Sequence, residues 1–283
     1  MMQWRSKMDL KTLYDTPPWE WPEGTDTVLL GILRDDRTDQ ADRLLAAELA
    51  GDSTVVNDEL VDVLLSILRN GDAPENLRGR AAISLGPALE YADMDGFEEP
   101  GAAPITEQTF RKIKETLRKL YADAGIPKYV RRRILEAAVR APQNWHQNAI
   151  RAAYLSDDED WKLTAVFCMR YIRGFDDWIL ESLGSKNADI HYQAVCAAGS
   201  GEVDAAWPHI AGLVTSAKTE KSLLLAAIEA SASIRAQEAR EILGRLMDGD
   251  DEDIAEAVYE AMSMAGGFLG EGDDEDEDDE FLR

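Results

Sequence analysis

The chain has 283 residues, of which 45% are hydrophobic and 30% charged, and a formal net charge of −25. That composition is globular, and the net negative charge argues against nucleic acid as the principal partner. The first ten residues carry Arg5, Lys7 and Asp9 with no apolar run behind them. They therefore hold neither a signal-peptide core nor a membrane span, and the expectation is a cytoplasmic protein without a membrane partner. Cys168 and Cys196 lack any Cys-x-x-Cys or Cys/His spacing, which fits inert thiols better than a disulfide framework or a zinc site.

In chain order the first segment, residues 1–25, is rich in Trp and Pro, with Trp4, Trp19 and Trp21 in or before "TPPWEWPEGTD". It reads as a hydrophobic cap over the open end of whatever follows. From residue 26 to 266 one pattern recurs. An apolar anchor opens a helix at Ala41, Leu77, Val130, Trp161, Ile190, Leu223 and Ile254, at steps of 29 to 36 residues with one step of 53. Four residues on stand Leu45, Ala81, Ile134, Ala165, Ala194, Ala227 and Val258; seven on stand Glu48, Ser84, Ala137, Cys168, Ala197, Ala230 and Ala261. Offsets of 0, 4 and 7 share one helix face, and small residues there let a neighbouring helix approach closely. Ala232 falls on the opposite side in this register.

Upstream of each anchor lies the end of another apolar-striped segment, from Leu29–Leu33 and Leu60–Leu68 to Ile242–Leu246. Between the two stands an acidic turn residue, Asp39, Glu75, Asp158, Asp189 or Asp253, suited to a helix N-terminus. Helix, acidic turn and small-residue helix, repeated about seven times, predict an all-α fold: an α-solenoid (alpha-alpha superhelix) of two-helix repeats. The long step contains "YADMDGFEEPGAAP", read as an inserted loop over residues 91–104. Residues 267–283, with nine acidic residues and one basic, read as a disordered tail.

The segments "DAPENLRGRAAISLG" (72–86), "KYVRRRILEAAV" (128–139) and "NADIHYQAVCAAG" (187–199) resemble the second helix of HEAT repeats, including the phycobilisome-lyase-like variety. The resemblance covers roughly residues 26–266 and implies a repeat architecture used by scaffolds, adaptors and some enzymes. The basic residue after the anchor is Arg78, Arg131 and Lys162, then gives way to His191, Leu224 and Ala255. An Asp–Arg rung between repeats is therefore expected to be missing toward the C-terminus.

No catalytic, cofactor-binding or metal-ligating constellation is legible. His146, His191 and His209 fall in three different repeats, outside any His-Glu-x-x-His or i, i+4 spacing. HEAT-like DNA glycosylases provide the alternative reading, a HEAT-like enzyme or nucleic-acid binder, or else a lyase-associated subunit. Trp145, Trp161 and Trp178 beside Asp176 and Asp177 are the residues that would serve it. The favoured expectation is a non-catalytic scaffold or adaptor for another protein, without cofactor.

Charge gives the candidate surface. Residues 111–173 hold 14 basic and 7 acidic residues, whereas both flanks are strongly acidic. The candidate partner-binding residues are Arg111, Lys114, Arg118, Lys128, Arg131, Arg132, Arg133, Lys162 and Arg170. Half of that signal is assigned to structural pairs between neighbouring helices.

Overall fold

The structure is a computed structural model that describes residues 9–98, 103–247 and 249–267. The chain divides into two compact units, Met1–Ala152 and Ala153–Arg283. Among the described residues all regular structure is helical.

The first unit opens with α1 (Leu10–Tyr14), capped by Asp9, and a 3-10 turn at Pro18–Glu20. Three helix pairs follow: α2 (Thr25–Arg34) with α3 (Gln40–Leu49), α4 (Asp58–Arg69) with α5 (Glu75–Ile83), and α7 (Glu107–Ala122) with α8 (Lys128–Ala138). Helix α6 (Gly86–Asp95) lies between the second and third pairs, and α9 (His146–Tyr154) crosses the unit boundary. Within the second unit are α10 (Glu159–Cys168), the pair α11 (Asp176–Leu183) and α12 (Ala188–Gly201), the pair α13 (Trp207–Thr215) and α14 (Lys221–Ile234), and the pair α15 (Ala236–Leu243) and α16 (Glu252–Gly267). Second helices stack on second helices, α3 on α5 and α5 on α8 in one unit, α10 on α12, α12 on α14 and α14 on α16 in the other. Each unit is thus an α-solenoid stack of two-helix HEAT-like repeats, as the periodicity predicts, with three complete pairs in each.

The stripes explain the stacking. Helix α4 buries Leu60, Val61, Leu64, Leu65 and Leu68, one continuous face of a 3.6-residue helix, and Asn57 caps it by accepting from the Glu59 and Leu60 amides at 3.0 Å. On the second helices from α5 onward, every residue four and seven places past the anchor is buried, from Ala81 and Ser84 to Val258 and Ala261. The small side chains bring backbones together. A β-carbon on Gly51 would stand 2.6 Å from the Ser84 carbonyl oxygen, and one on Gly199 2.8 Å from Ala230 Cα. Gly51 follows Arg43, and Gly199 follows the equivalent His191, by the same number of residues, so one packing rung is used in both units.

Four expectations are corrected. In the first repeat the register slips by one: Ala41 is exposed, Ala46 and Leu49 are buried, and the repeat is aligned by Arg43 rather than by the residue after Ala41. Ala232, expected on the outer side, is only 7% exposed, because α14 is covered on both flanks by α12 and α16. Asp39 and Asp158 are N-caps, but Pro74 and Asn187 take that place before α5 and α12, leaving Glu75 and Asp189 inside the first turn. Residues 91–95 of the expected loop are the last turns of α6, which ends at Gly96 with φ of 67°, a conformation open to glycine. Phe97 then packs on Phe110, ring centroids 5.5 Å apart. Residues 99–102 of that loop, 1–8 of the N-terminal segment and 268–283 of the acidic tail lie outside the described residues.

Candidate functional site

In the first unit the basic residue that marks each second helix ties it to the first helix of its own repeat. Arg43, Arg78 and Arg131 each reach ten residues back along the chain, to the carbonyl oxygens of Leu33, Leu68 and Tyr121, at 3.2, 3.1 and 2.9 Å. Each oxygen belongs to the last turn of the first helix, where carbonyls have no intrahelical partner. Each therefore bonds a carbonyl within its own repeat, and Arg43 also pairs with Asp36 at 3.1 Å. Arg78 is only 4% exposed, so its guanidinium is a structural part of the core.

The other cations of the first unit are spread over two helix layers. On α7, Arg111 pairs with Glu107, Lys112 with Asp62 of α4 at 2.5 Å, and the Lys114 ammonium lies 4.6 Å from the Phe110 ring centre. On α8, Arg133 pairs with the buried Glu136 at 2.5 Å and lies over Tyr129, while Arg132 is buried. Arg140, just past α8, pairs with Glu90 of α6 at 2.5 Å. Lys128 opens α8. Arg118 and Lys119, in the last turns of α7, are exposed and make no ion pair among the described residues.

Between α8 and α9 the turn Gln143–His146 is closed from both sides. The His146 amide donates to the Gln143 carbonyl at 3.0 Å, and the Gln143 amide donates to His146 Nδ1 at 3.1 Å. With Nδ1 accepting, the proton of the neutral ring sits on Nε2. Trp145 packs between Tyr121 of α7 (centroids 5.0 Å) and His146 (4.1 Å). Three N–H groups of this turn are buried without an acceptor among the described residues: Gln143 Nε2, Trp145 Nε1 and His146 Nε2. Burial, with the nearby Lys114 ammonium second, pushes the His146 pKa down to about 4. His146 is fully buried.

In the second unit Lys162 contacts Glu181 at 3.3 Å and lies over Tyr154, and Arg170 lies over Phe167. His191 occupies the same repeat position as Lys162 and likewise reaches the next first helix, its Nε2 2.8 Å from Nε2 of His209. The histidines judged isolated in sequence are therefore paired, and the signal was present in the repeat register alone. Burial lowers both pKa values, and the facing His209 lowers that of His191 further. On α12 burial raises both the Cys196 thiol and the neighbouring Tyr192. Trp178 is stacked between Tyr154 and Phe175, with Asp176 and Asp177 exposed in the first turn of α11. No group of three or more His, Cys, Asp or Glu that would hold a metal exists among the described residues.

At the start of the first unit an open groove of about 540 Å³ is lined by Trp19, Trp21, Pro18, Pro22, Glu23 and Asp26, with residues 54–57 opposite. Trp21 is structural, its indole donating to the Leu13 and Thr16 carbonyls at 2.9 Å, whereas Trp19 is 78% exposed. None of the described helices is long and apolar enough to cross a membrane.

No protein-family model matches the chain, and no curated protein matches it. Among solved structures it is similar to the Escherichia coli protein YibA (15% identity, 90% of this chain and 85% of that one, TM-score 0.43). It is also similar to human deoxyhypusine hydroxylase (16%, 91% and 88%, TM-score 0.40). A third is the complex of CpcE and CpcF of phycocyanin lyase from Nostoc sp. PCC7120 (19%, 89% and 98%, TM-score 0.44). These likenesses concern the fold alone. The expectation that the chain is not an enzyme is corrected here, since the chains similar to it include deoxyhypusine hydroxylase and the CpcE–CpcF complex of phycocyanin lyase.

Proposed function

We propose that this helical repeat protein is a scaffold or adaptor that binds an acidic segment of another protein on the cationic surface of its third helix pair, α7 and α8. The observation that carries the reading is the state of Arg118 and Lys119. In a chain with 55 carboxylates to 30 Lys and Arg, both stand exposed without an ion pair among the described residues, while Arg111, Lys112, Arg133 and Arg140 around them are engaged by carboxylates. Unpaired exposed cations on a helix flanked by acidic sequence supply electrostatic complementarity to an acidic partner and steer its approach.

The test is capture of partners from the native lysate by the full chain and by the Arg118→Glu/Lys119→Glu variant. A matched variant, Lys11→Glu/Arg37→Glu, changes net charge equally on exposed residues elsewhere in the unit. Loss of a captured protein by the first variant only, with at least a tenfold weaker affinity when that protein is purified, supports the reading. Equal capture by all three, or tight and steeply salt-dependent binding to random duplex DNA, overturns it.

A further inference from the structure

We infer that the turn Gln143–His146, together with Lys114 and Arg118 of α7, is a carboxylate-binding site that takes one Asp or Glu side chain of the partner segment; this rests on the function proposed above and names its anchoring contact. Donors are what the site offers. The indole N–H of Trp145, the Nε2–H of His146 and the carboxamide of Gln143 belong to one four-residue turn, and none has an acceptor among the described residues. A buried donor left without an acceptor is costly, and folded proteins keep few of them, so three in four residues need a common cause.

Geometry limits what that cause is. His146 presents Nε2–H because its other ring nitrogen is fixed by the Gln143 amide at 3.1 Å. Trp145 is clamped between the Tyr121 and His146 rings, so its N–H is held by packing rather than by a hydrogen bond. On α7, Lys114 and Tyr121 are two turns apart on the same helix face, with Arg118 one turn from Lys114. Tyr121 touches Trp145, and Lys114 is near enough to act on the His146 ring electrostatically. Gln143, Trp145, Tyr121 and Lys114 are half-buried, and Arg118, Pro142 and Asn144 are exposed, so the donors lie just beneath the surface.

Charge selects the ligand class. Three neutral donors, one half-buried ammonium and one exposed guanidinium match a single negative charge with two acceptor oxygens. A carboxylate fits that demand. A phosphate dianion brings a second charge that only the exposed, solvent-screened Arg118 guanidinium could meet, and a nucleic acid brings many more into the field of an acidic chain.

The experiment uses the full chain and follows the Trp145 indole N–H by NMR, its resonance assigned by its loss in Trp145→Phe. Acetate, inorganic phosphate and an amide-capped hexaglutamate peptide are titrated at constant ionic strength against chloride. The expected result is a saturable shift of this resonance with acetate and with the peptide, weaker with phosphate. Lys114→Met and Gln143→Leu should each weaken acetate and peptide binding at least fivefold, and Lys11→Met, exposed on α1 away from the turn, should leave acetate unchanged. A shift that is linear and the same for acetate and chloride, acetate affinity equal in Lys114→Met and the parent chain, or phosphate binding more tightly than acetate overturns the site. The two readings fail separately: peptide binding lost in Arg118→Glu/Lys119→Glu but unmoved by Lys114→Met and Gln143→Leu retains the cationic surface and removes this site. Saturable acetate binding with no peptide binding retains the site and removes the acidic-segment reading.

Discussion

The Nε2 atoms of His191 and His209 stand 2.8 Å apart, joining the second helix of one repeat to the first helix of the next. At that distance one ring must donate and the other accept, so at most one of the four ring nitrogens involved in charging the pair is free to take a proton without breaking the contact. Burial lowers the pKa of both residues, as it lowers that of His146 to about 4.

Acid should therefore destabilise the protein through its histidines before its carboxylates titrate. A histidine whose folded pKa is depressed contributes stability that is complete above the unfolded value of about 6.5 and is lost as pH falls below it. For His146 the loss continues down to its folded pKa of about 4 and totals on the order of 3 kcal/mol. Thermal unfolding between pH 7.5 and 4.5 checks this: the midpoint should fall, and fall less in His191→Gln, which cannot be protonated. A flat profile in the parent chain would contradict the assignment.

Glycines in the repeat divide by what surrounds them. Gly199→Ala forces a β-carbon against Ala230 and should cost about 1–3 kcal/mol, with Gly51→Ala, against Ser84, behaving alike. Gly212, inside α13 with open space around it, should instead gain about 0.5–1 kcal/mol on conversion to Ala. Denaturant midpoints of the three variants measure the difference in sign, and a shared sign would show that the second helices do not approach as described.

Arg78→Met leaves the Leu68 carbonyl of α4 without its partner inside the core and should cost about 1.5–3 kcal/mol. Arg111→Met, which removes only an exposed pair with Glu107, should change stability by less than about 0.5 kcal/mol. Equal losses in urea titrations would mean that the rung is not structural.

Ala194→Leu and Ala197→Leu overpack the face of α12 that meets its neighbours and should each cost about 1–3 kcal/mol, while Ser200→Leu, exposed near the end of the same helix, should cost far less. Calorimetric midpoints decide it. Ala232 is no control for this comparison, since its side chain is buried as well.

What the sequence determined was the repeat itself. The residues at offsets four and seven are buried wherever the anchor was read correctly, because a narrow apolar stripe on a helix has no way to leave water except against another such helix. The one register error, at Ala41, arose where the first repeat aligns by Arg43, a residue whose role is a hydrogen bond to a carbonyl and leaves no hydropathy signal. The basic region was legible as charge, but whether a cation is spent inside the fold, as Arg78 and Arg132 are, or left on the surface, as Arg118 is, depends on which helix layer and which carboxylate it meets. Only the tertiary structure decided that. It also made the His191–His209 contact and gathered Lys114 of one helix near the buried N–H groups of Gln143, Trp145 and His146, since hydrogen bonds and ring contacts act over a few ångströms between residues that lie 18 to 32 apart in the chain.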